Sequence, residues 1–458
     1  MAHDNFKVII VGAGPVGLTA AHALYLAGID FVVLERRDKV VIDVGASLVL
    51  GPPSLRVMHQ FGLLETLLDI GGELRRNKCF TLEGYEFKNS TGFQYLKQDH
   101  GIAPMAFHRA ELIETLYRSL CSKVEGSVLT GKKVIDIASD NDGVKVTCAD
   151  GTAYEGSMVL GADGVHSETR RTMRKLALLS NPKTEWDPEV PYTSAYRCMW
   201  CSFPRTSESG EGFETHHTDR SAMYLTGHDR GWIFLYEKLP EPTKEQTFYT
   251  EKDVEAYAAR FADFPVNETL KVKDVFPMRL TSGMANLEEG LVENWSWGRI
   301  VLVGDACHKF TPNLGLGFNN GIQDVVALCN GLRETLNATS TGQPSIAALT
   351  KVFQEYQSMR YEALQGDASR SANVTRMHAW ASMFHFVMAR YIMVPRFVEY
   401  LFLKYISFSA IRHGLVLDYV SAKEPFQGLI SWIHQMKSPL GGVLHESGQQ
   451  PVHKTRID

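Results

Sequence analysis

Lys7-Val-Ile-Ile-Val11-Gly12-Ala-Gly14-Pro-Val-Gly17-Leu-Thr-Ala-Ala-His-Ala-Leu-Tyr-Leu26 is the stretch whose reading decides the fold. Its β-branched start predicts a strand buried on both faces of a parallel sheet. The residues from Leu18 onward have helical spacing, Gly28 stops that helix, and Phe31-Val-Val-Leu34 predicts a second strand. Each glycine between strand and helix has a task. Gly12 makes the tight turn, Gly14 lets backbone amides approach a pyrophosphate, and Gly17 lets helix and strand pack closely. The helix start offers unpaired N–H donors and partial positive charge to phosphates. Glu35 follows the second strand, 18 residues after Gly17, where a carboxylate accepts ribose hydroxyls and repels a 2′-phosphate. This unit predicts dinucleotide binding and leaves NAD and FAD both open.

The surrounding composition is ordinary. The chain has 458 residues, 44% apolar and 22% charged, with a formal net charge of −5. Disorder and disulfide-scaffold classes are excluded, and a mildly acidic chain without a basic stripe is not expected to bind nucleic acid. Seven scattered cysteines are not a disulfide framework. Cys198-Met-Trp-Cys201 lies in an alternating strand pattern and reads as structural. His216-His217 has no ligand partner nearby in sequence, so a surface pair is expected and no metal site. The segment Val8 to Gly28 is nearly uncharged, but its glycines and the missing cleavage site argue against a signal peptide. An intracellular chain is expected.

Two later motifs extend the reading. Val159-Leu-Gly-Ala-Asp163-Gly-Val-His-Ser167-Glu-Thr-Arg170 runs strand, Asp-Gly turn, capped helix start. Arg299-Ile-Val-Leu-Val303-Gly304-Asp305 is a strand that ends by aiming a carboxylate at the crevice beyond a parallel sheet. Pro312-Asn-Leu-Gly315-Leu-Gly317-Phe-Asn319 then opens a helix whose first amides can face an anion. In this order and spacing, over roughly residues 5–370, the three segments resemble the single-component FAD-dependent monooxygenases of the para-hydroxybenzoate hydroxylase fold. Asp43-Val-Gly-Ala-Ser47 and Ala195-Tyr-Arg197 are also similar to the fungal secondary-metabolite branch that includes paxilline-type epoxidases.

That resemblance implies an α/β fold: a Rossmann-like FAD-binding domain, an inserted antiparallel β-sheet substrate domain, and a C-terminal helical region. It assigns Gly12, Gly14, Gly17 and Glu35 to the ADP half of FAD, and Arg109 to another FAD contact. Asp163 matches a motif associated with both FAD and NADPH. Asp305 would hold the ribityl chain, and Pro312, Gly315 and Gly317 would line the flavin ring. Leu316 stands where relatives often carry Gln. The implied reaction is oxygenation through a flavin C4a-hydroperoxide, with NADPH or NADH as reductant and O2 as co-substrate. Its substrate would be a bulky apolar natural product such as a terpenoid, meroterpenoid or prenylated indole, epoxidised or hydroxylated. A flavin-dependent prenyl reductase and a non-catalytic prenyl-binding escort are the competing classes.

Because motifs near 12, 163 and 305 must meet one ligand, the expected FAD-binding domain is discontinuous: residues 1–75, 100–178 and 290–370. Residues 76–99 and 179–289 then form the substrate sheet, and 371–458 the helical region. Arg197, on the first strand of that sheet, is the family's candidate to face the flavin; the alternative is a strand-edge salt bridge. Asp43 is the candidate on the ring's substrate side, against an ordinary loop aspartate. Tyr192, Tyr196 and Trp200 are candidates for an apolar pocket or for the core. The whole-chain mean hydropathy of −0.14 conceals an aromatic, basic region near 378–420. Interrupted by charges and by Pro395, it reads as a membrane-surface contact, a lid, or helices docked on the core. Expected location is therefore cytoplasmic or peripheral to a membrane.

Overall fold

The computed structural model describes residues 3–43 and 46–438. Val44 and Gly45 of the Asp43–Ser47 stretch, and the end of the expected C-terminal region, lie outside the described residues. The strand His3–Val11 lies at the heart of a six-stranded sheet, flanked by Met158–Gly161 on one side and Ile29–Leu34 on the other. Ile300–Leu302 and Val128–Leu129 extend it in parallel, and Ser296–Trp297 closes one edge antiparallel. Val8, Ile9 and Ile10 are fully buried, as a parallel strand covered on both faces requires. Helices Pro15–Ala27 and Leu316–Ala338 pack beside it so closely that a Cβ on Gly321 would lie 2.5 Å from Val16. Three strands distant in sequence thus deliver their C-terminal turns to one edge, where open α/β sheets hold ligands.

The second sheet has eight strands. Its spatial order is His308–Lys309, Thr281–Leu291, Thr193–Pro204, Arg230–Thr243, Arg220–Thr226, Glu211–His217, Arg76–Thr81 and Glu86–Ser90. Every pairing is antiparallel except Glu211–His217 with Arg76–Thr81. The Arg76–Thr81 strand arrives from more than 100 residues earlier in the chain, so no hairpin fixes its direction. Side-chain alternation gives the sheet two apolar faces. One carries Met199, Cys201, Phe213, Ile233 and Leu235 against helix Glu251–Arg260. The opposite face carries Cys198, Trp200, Met223, Phe234 and Tyr236, with Val49 and Ala106 of the nucleotide-binding part packed against it.

Helix Ile346–His378 runs from the six-stranded sheet to the eight-stranded one. Beyond it, the short helices Met383–Val387 and Arg396–Phe402 are separated by a π-turn over Met388–Ile392. They dock through Glu399, which meets Lys88 at 3.0 Å and accepts from Ser90 at 2.7 Å. Their outer side leaves Met383, Phe384, Tyr391, Phe397 and Tyr405 exposed. Among the described residues, no helix is long and apolar enough to cross a membrane.

Candidate active site and cofactor cleft

Gly12 adopts φ +103°, and its N–H donates to Leu34 O at 2.8 Å, which sets the sharp exit from the first strand. A Cβ on Gly17 would sit 1.9 Å from Gly12 O, so this position admits glycine alone, whereas a Cβ on Gly14 would meet nothing within 4 Å. Gly14 is therefore the open side of the turn. Helix Pro15–Ala27 starts without a side-chain cap, which leaves its first amides and dipole end for an anion. Glu35 accepts from the Ala13 N–H at 2.8 Å and the Arg37 N–H at 2.9 Å. It thereby ties the second strand to the glycine turn, and each carboxylate oxygen keeps a further lone pair for a ribose.

Asp305 stands at the mouth of the third motif with a third of its side chain accessible. Burial alone would raise its carboxyl; Lys309, His308 and Arg109 outweigh that and hold it below the usual range. Lys309 pairs directly with it. Arg109, at the start of helix Arg109–Cys121, is partly buried and makes no hydrogen bond or ion pair with a described residue; burial lowers its pKa, with Asp305 in opposition. A recessed cation beside a hydroxyl-binding carboxylate suits the polar middle of FAD. Gly315 is left-handed at φ +63°, and a Cβ there would press on Val49 at 3.3 Å. The 23-residue helix Leu316–Ala338 begins directly after it, also without a side-chain cap. Its N-terminal amides and those of Pro15–Ala27 are the two anion-facing ends of one cleft, and the donor set fits FAD.

Behind the cleft lies bracing that sequence reading did not single out. Asn319 accepts from Gly51 N–H at 2.9 Å and Ser54 Oγ at 2.6 Å, and donates to Val49 O and Gly315 O, each at 2.7 Å. Deeper, Asp324 accepts from Gly304 N–H at 3.1 Å and Arg360 Nε at 3.0 Å, and contacts His308 Nε2 at 2.5 Å. Thr375 reaches Asn313 at 2.7 Å and Thr311 at 2.8 Å. Polar residues recurring early in the Leu316–Ala338 helix, Asn319-Asn-x-x-x-Asp324, were the available signal. The strand and helix partners that give them their role stand 16 to 270 residues away.

Two expectations change on contact with the geometry, those for Arg197 and His216, and Asp163 shows a structural role beside its expected one. Asp163 turns its carboxylate to Ser167 Oγ at 2.5 Å, and to Thr169 N–H at 2.9 Å and Oγ1 at 3.0 Å. It holds the Ser167 N-cap at the start of helix Glu168–Ser180, and Arg170 of that helix donates to Ala306 O at 2.8 Å, so the motif braces the Asp305 turn. Arg197 shares strand parity with Met199 and Cys201, which places it on the face away from Val49 and the cleft. There it binds Glu237 at 2.6 and 2.9 Å and lies over the Tyr257 ring at 5.3 Å. The flavin-facing role is corrected to the salt-bridge alternative, because register alone sets the face. His216 is buried at 3% exposure, against the expected surface pair; it contacts Glu214, whereas His217 is partly exposed. Asp43 is half-exposed and contacts His108 Nε2 at 2.9 Å and Arg230 at 3.3 Å, at the junction of the two sheets. Tyr192 donates to Asp305 O at 3.2 Å, while Tyr196 and Trp200 sit on the cleft-side face.

The family profile described as "FAD binding domain" matches residues 5–343. The FAD-dependent monooxygenase ausM of Penicillium brasilianum is 32% identical over 406 residues, covering 86% of this chain and 84% of its own. This chain belongs to the FAD-dependent monooxygenases. The monooxygenase esdpE of Penicillium shearii is 34% identical over 401 residues, covering 85% and 82%. Among solved structures, a variant of Klebsiella pneumoniae HpxO complexed with FAD superposes with a TM-score of 0.68 at 21% identity, over 87% of this monooxygenase and 97% of that chain. PqsL of P. aeruginosa with 2-aminobenzoylacetate gives 0.65 at 18% identity, over 84% and 99%. These two establish the fold. FAD is the monooxygenase's cofactor, and the donor set of the cleft between Gly14, Arg109, Asp305 and Gly315 fits it.

Proposed function

We infer that this monooxygenase takes reducing equivalents from NADPH or NADH and places one atom of O2 on a bulky apolar natural product, as an epoxide or an alcohol. Terpenoids, meroterpenoids and prenylated indoles are the classes that fit. The observation that supports this reading is the apolar sheet face turned toward the nucleotide-binding part: Trp200, Met223, Leu225, Phe234 and Tyr236, with Val49 and Ala106 packed against it. Such a wall gains about 25 cal/mol for each Å² of apolar substrate surface it covers and offers few groups to a small polar substrate. Bound FAD supplies the electron storage and O2 activation. The chain's own residues hold it through the two helix ends, keep a carboxylate and a recessed guanidinium beside it, and exclude water with the aromatic wall. Incubation with NADPH, 18O2 and candidate terpenoid and indole substrates, followed by mass spectrometry, should show one 18O per product. NADPH-dependent alkene reduction without oxygen incorporation would overturn the reading.

A peripheral membrane contact is part of the same proposal. Met383, Phe384, Tyr391, Phe397 and Tyr405 project outward beside Arg396 and Lys404, the pattern of an interfacial helix that meets anionic lipid. Co-sedimentation with phosphatidylserine vesicles should fall at least tenfold in the Phe384→Ser/Phe397→Ser double variant. Equal sedimentation of the two proteins would remove the contact.

A further inference from the structure

On the cleft-side face of the eight-stranded sheet lies a cluster that the FAD chemistry does not use. Glu214 on Glu211–His217 is surrounded by donors: Asn77 at 3.2 Å, the Cys79 thiol at 3.6 Å, His216 Nε2 at 3.2 Å and His378 Nε2 at 3.1 Å. The two imidazoles stack, with centroids 4.5 Å apart and planes 24° from parallel, so both ring edges address the same carboxylate. Register puts Glu214 opposite Met223, whose strand neighbour in the next ladder is Phe234 and then Trp200. The cluster therefore continues the apolar wall. His378 belongs to the last turn of helix Ile346–His378, one turn beyond the Thr375 that holds Asn313 of the flavin loop. One helical turn is about 5.4 Å of rise, so the cluster is adjacent to the flavin end of the cleft.

Protonation is set by the surroundings. Burial opposes charge on Glu214, but His378 and His216 outweigh it and hold the carboxyl far below the usual range. Burial pushes His378 down to about 4 despite the attraction of Glu214. At neutral pH His378 is thus a neutral ring that donates its Nε2–H to the Glu214 carboxylate, which fixes the tautomer and leaves Nδ1 as an acceptor. Nδ1 of His378 makes no hydrogen bond to a described residue, and 13% of the side chain stays accessible. Around it, the buried polar atoms Nδ1 of His216, stacked on His378, and Nε1 of Trp380, whose ring meets His216 edge-on, have no partner. Buried polar atoms are nearly always bonded, so these orphans beside His378 mark a place that takes a polar group.

The geometry points to a hydroxyl-binding subsite at His378, oriented by Glu214 and stacked on His216, that positions an alcohol or phenol group of an otherwise apolar substrate by accepting its O–H at Nδ1. This deepens the proposed function, on which it rests: the substrate is an apolar skeleton with a hydroxyl at a fixed distance from the oxygenated carbon. His378 is a positioning residue in this account. A metal ion held by Cys79, Glu214 and His216, whose ligand atoms lie within 4.8 Å of one another, is the competing use of the same cluster.

The test compares 1-naphthol with naphthalene, an identical skeleton lacking the hydroxyl, by perturbation of the bound-flavin spectrum in the FAD-loaded enzyme. Wild type should bind 1-naphthol about tenfold more tightly than naphthalene, the size of one net hydrogen bond. His378→Phe should bring that ratio to about one with naphthalene affinity retained. His378→Asn, which keeps an acceptor near the Nδ1 position, should restore most of the preference, and His378→Gln should not. A wild-type ratio near one, or an undiminished ratio in His378→Phe, overturns the subsite. If His378→Phe fails to fold or retain FAD, the Asn and Gln variants supply the same comparison, and equal ratios in those two overturn it. One equivalent of metal per purified chain, lost in Cys79→Ser, also overturns it. Failure of 18O incorporation alongside a preserved naphthol preference would sink the oxygenation reading and leave the subsite standing.

Discussion

Gly14 and Gly17 are three residues apart and separate binding from folding. Ala at Gly17 forces its Cβ onto Gly12 O, so Gly17→Ala should lower stability by about 3 kcal/mol through overpacking and give protein without flavin. Gly14 has ordinary extended backbone and open space beside it. Gly14→Ala should therefore leave apoprotein melting within about 0.5 kcal/mol of wild type and weaken FAD retention at least tenfold. Thermal melting with flavin absorbance distinguishes the two. Arg197 shows the opposite case. Its salt bridge with Glu237 is partly buried, and Arg260 keeps a second contact to the same carboxylate. Arg197→Met should cost about 1–2 kcal/mol of stability and leave turnover per bound flavin within twofold. A hundredfold loss of kcat at unchanged stability would return Arg197 to the chemistry. The glycines were legible because their partners are sequence neighbours; Arg197 stayed open between two roles because its face depends on the parity of a strand.

At the scale of elements, the strand–turn–helix–strand unit, the Gly304-Asp305 strand end and the Gly315 helix start could be read from the chain, since each is specified by a handful of contiguous residues. The clamps between them could not. Asn319 joins its own helix to the Ser47–Leu50 strand and the start of helix Pro52–Gln60, across 268 to 270 positions of chain. Removing it leaves the Gly51 amide and the Val49 and Gly315 carbonyls without this side-chain partner. Asn319→Ala should cost about 2–4 kcal/mol by that count of buried groups and speed FAD release, measurable as flavin fluorescence recovered after dilution. Unchanged release would show that Gly315 alone holds the loop. Asp163 belongs here as well: its carboxylate holds the Ser167 N-cap and the Thr169 N–H at the start of helix Glu168–Ser180, and Arg170 of that helix is a strut under the Asp305 turn.

For the whole molecule, the two sheets are joined through long-range polar links, and several buried imidazoles make that assembly sensitive to acid. Burial lowers His22, His100 and His378 each to about 4. Between pH 6.5 and 4 the unfolded chain binds these protons and the folded one does not. Each group's stabilising contribution is therefore complete above pH 6.5 and is lost as pH falls toward 4, at about 1.4 kcal/mol per pH unit per group. Melting temperature should drop steadily across that window, and His22→Gln should flatten the slope; a level profile would mean these rings are protonated in the folded state. By itself the sequence determined the dinucleotide turn, the order of three motifs and, through their resemblance to a known family, the α/β architecture and the monooxygenase class. The turn and the motif ends follow from local backbone requirements that only glycine, a strand end or a helix start can meet. Tertiary structure alone decided which carboxylates face the cleft, which side of the sheet Arg197 occupies, and that Cys79, Glu214, His216 and His378 meet. Sheet register and the docking of a 33-residue helix are products of packing between distant segments, and no local pattern encodes them.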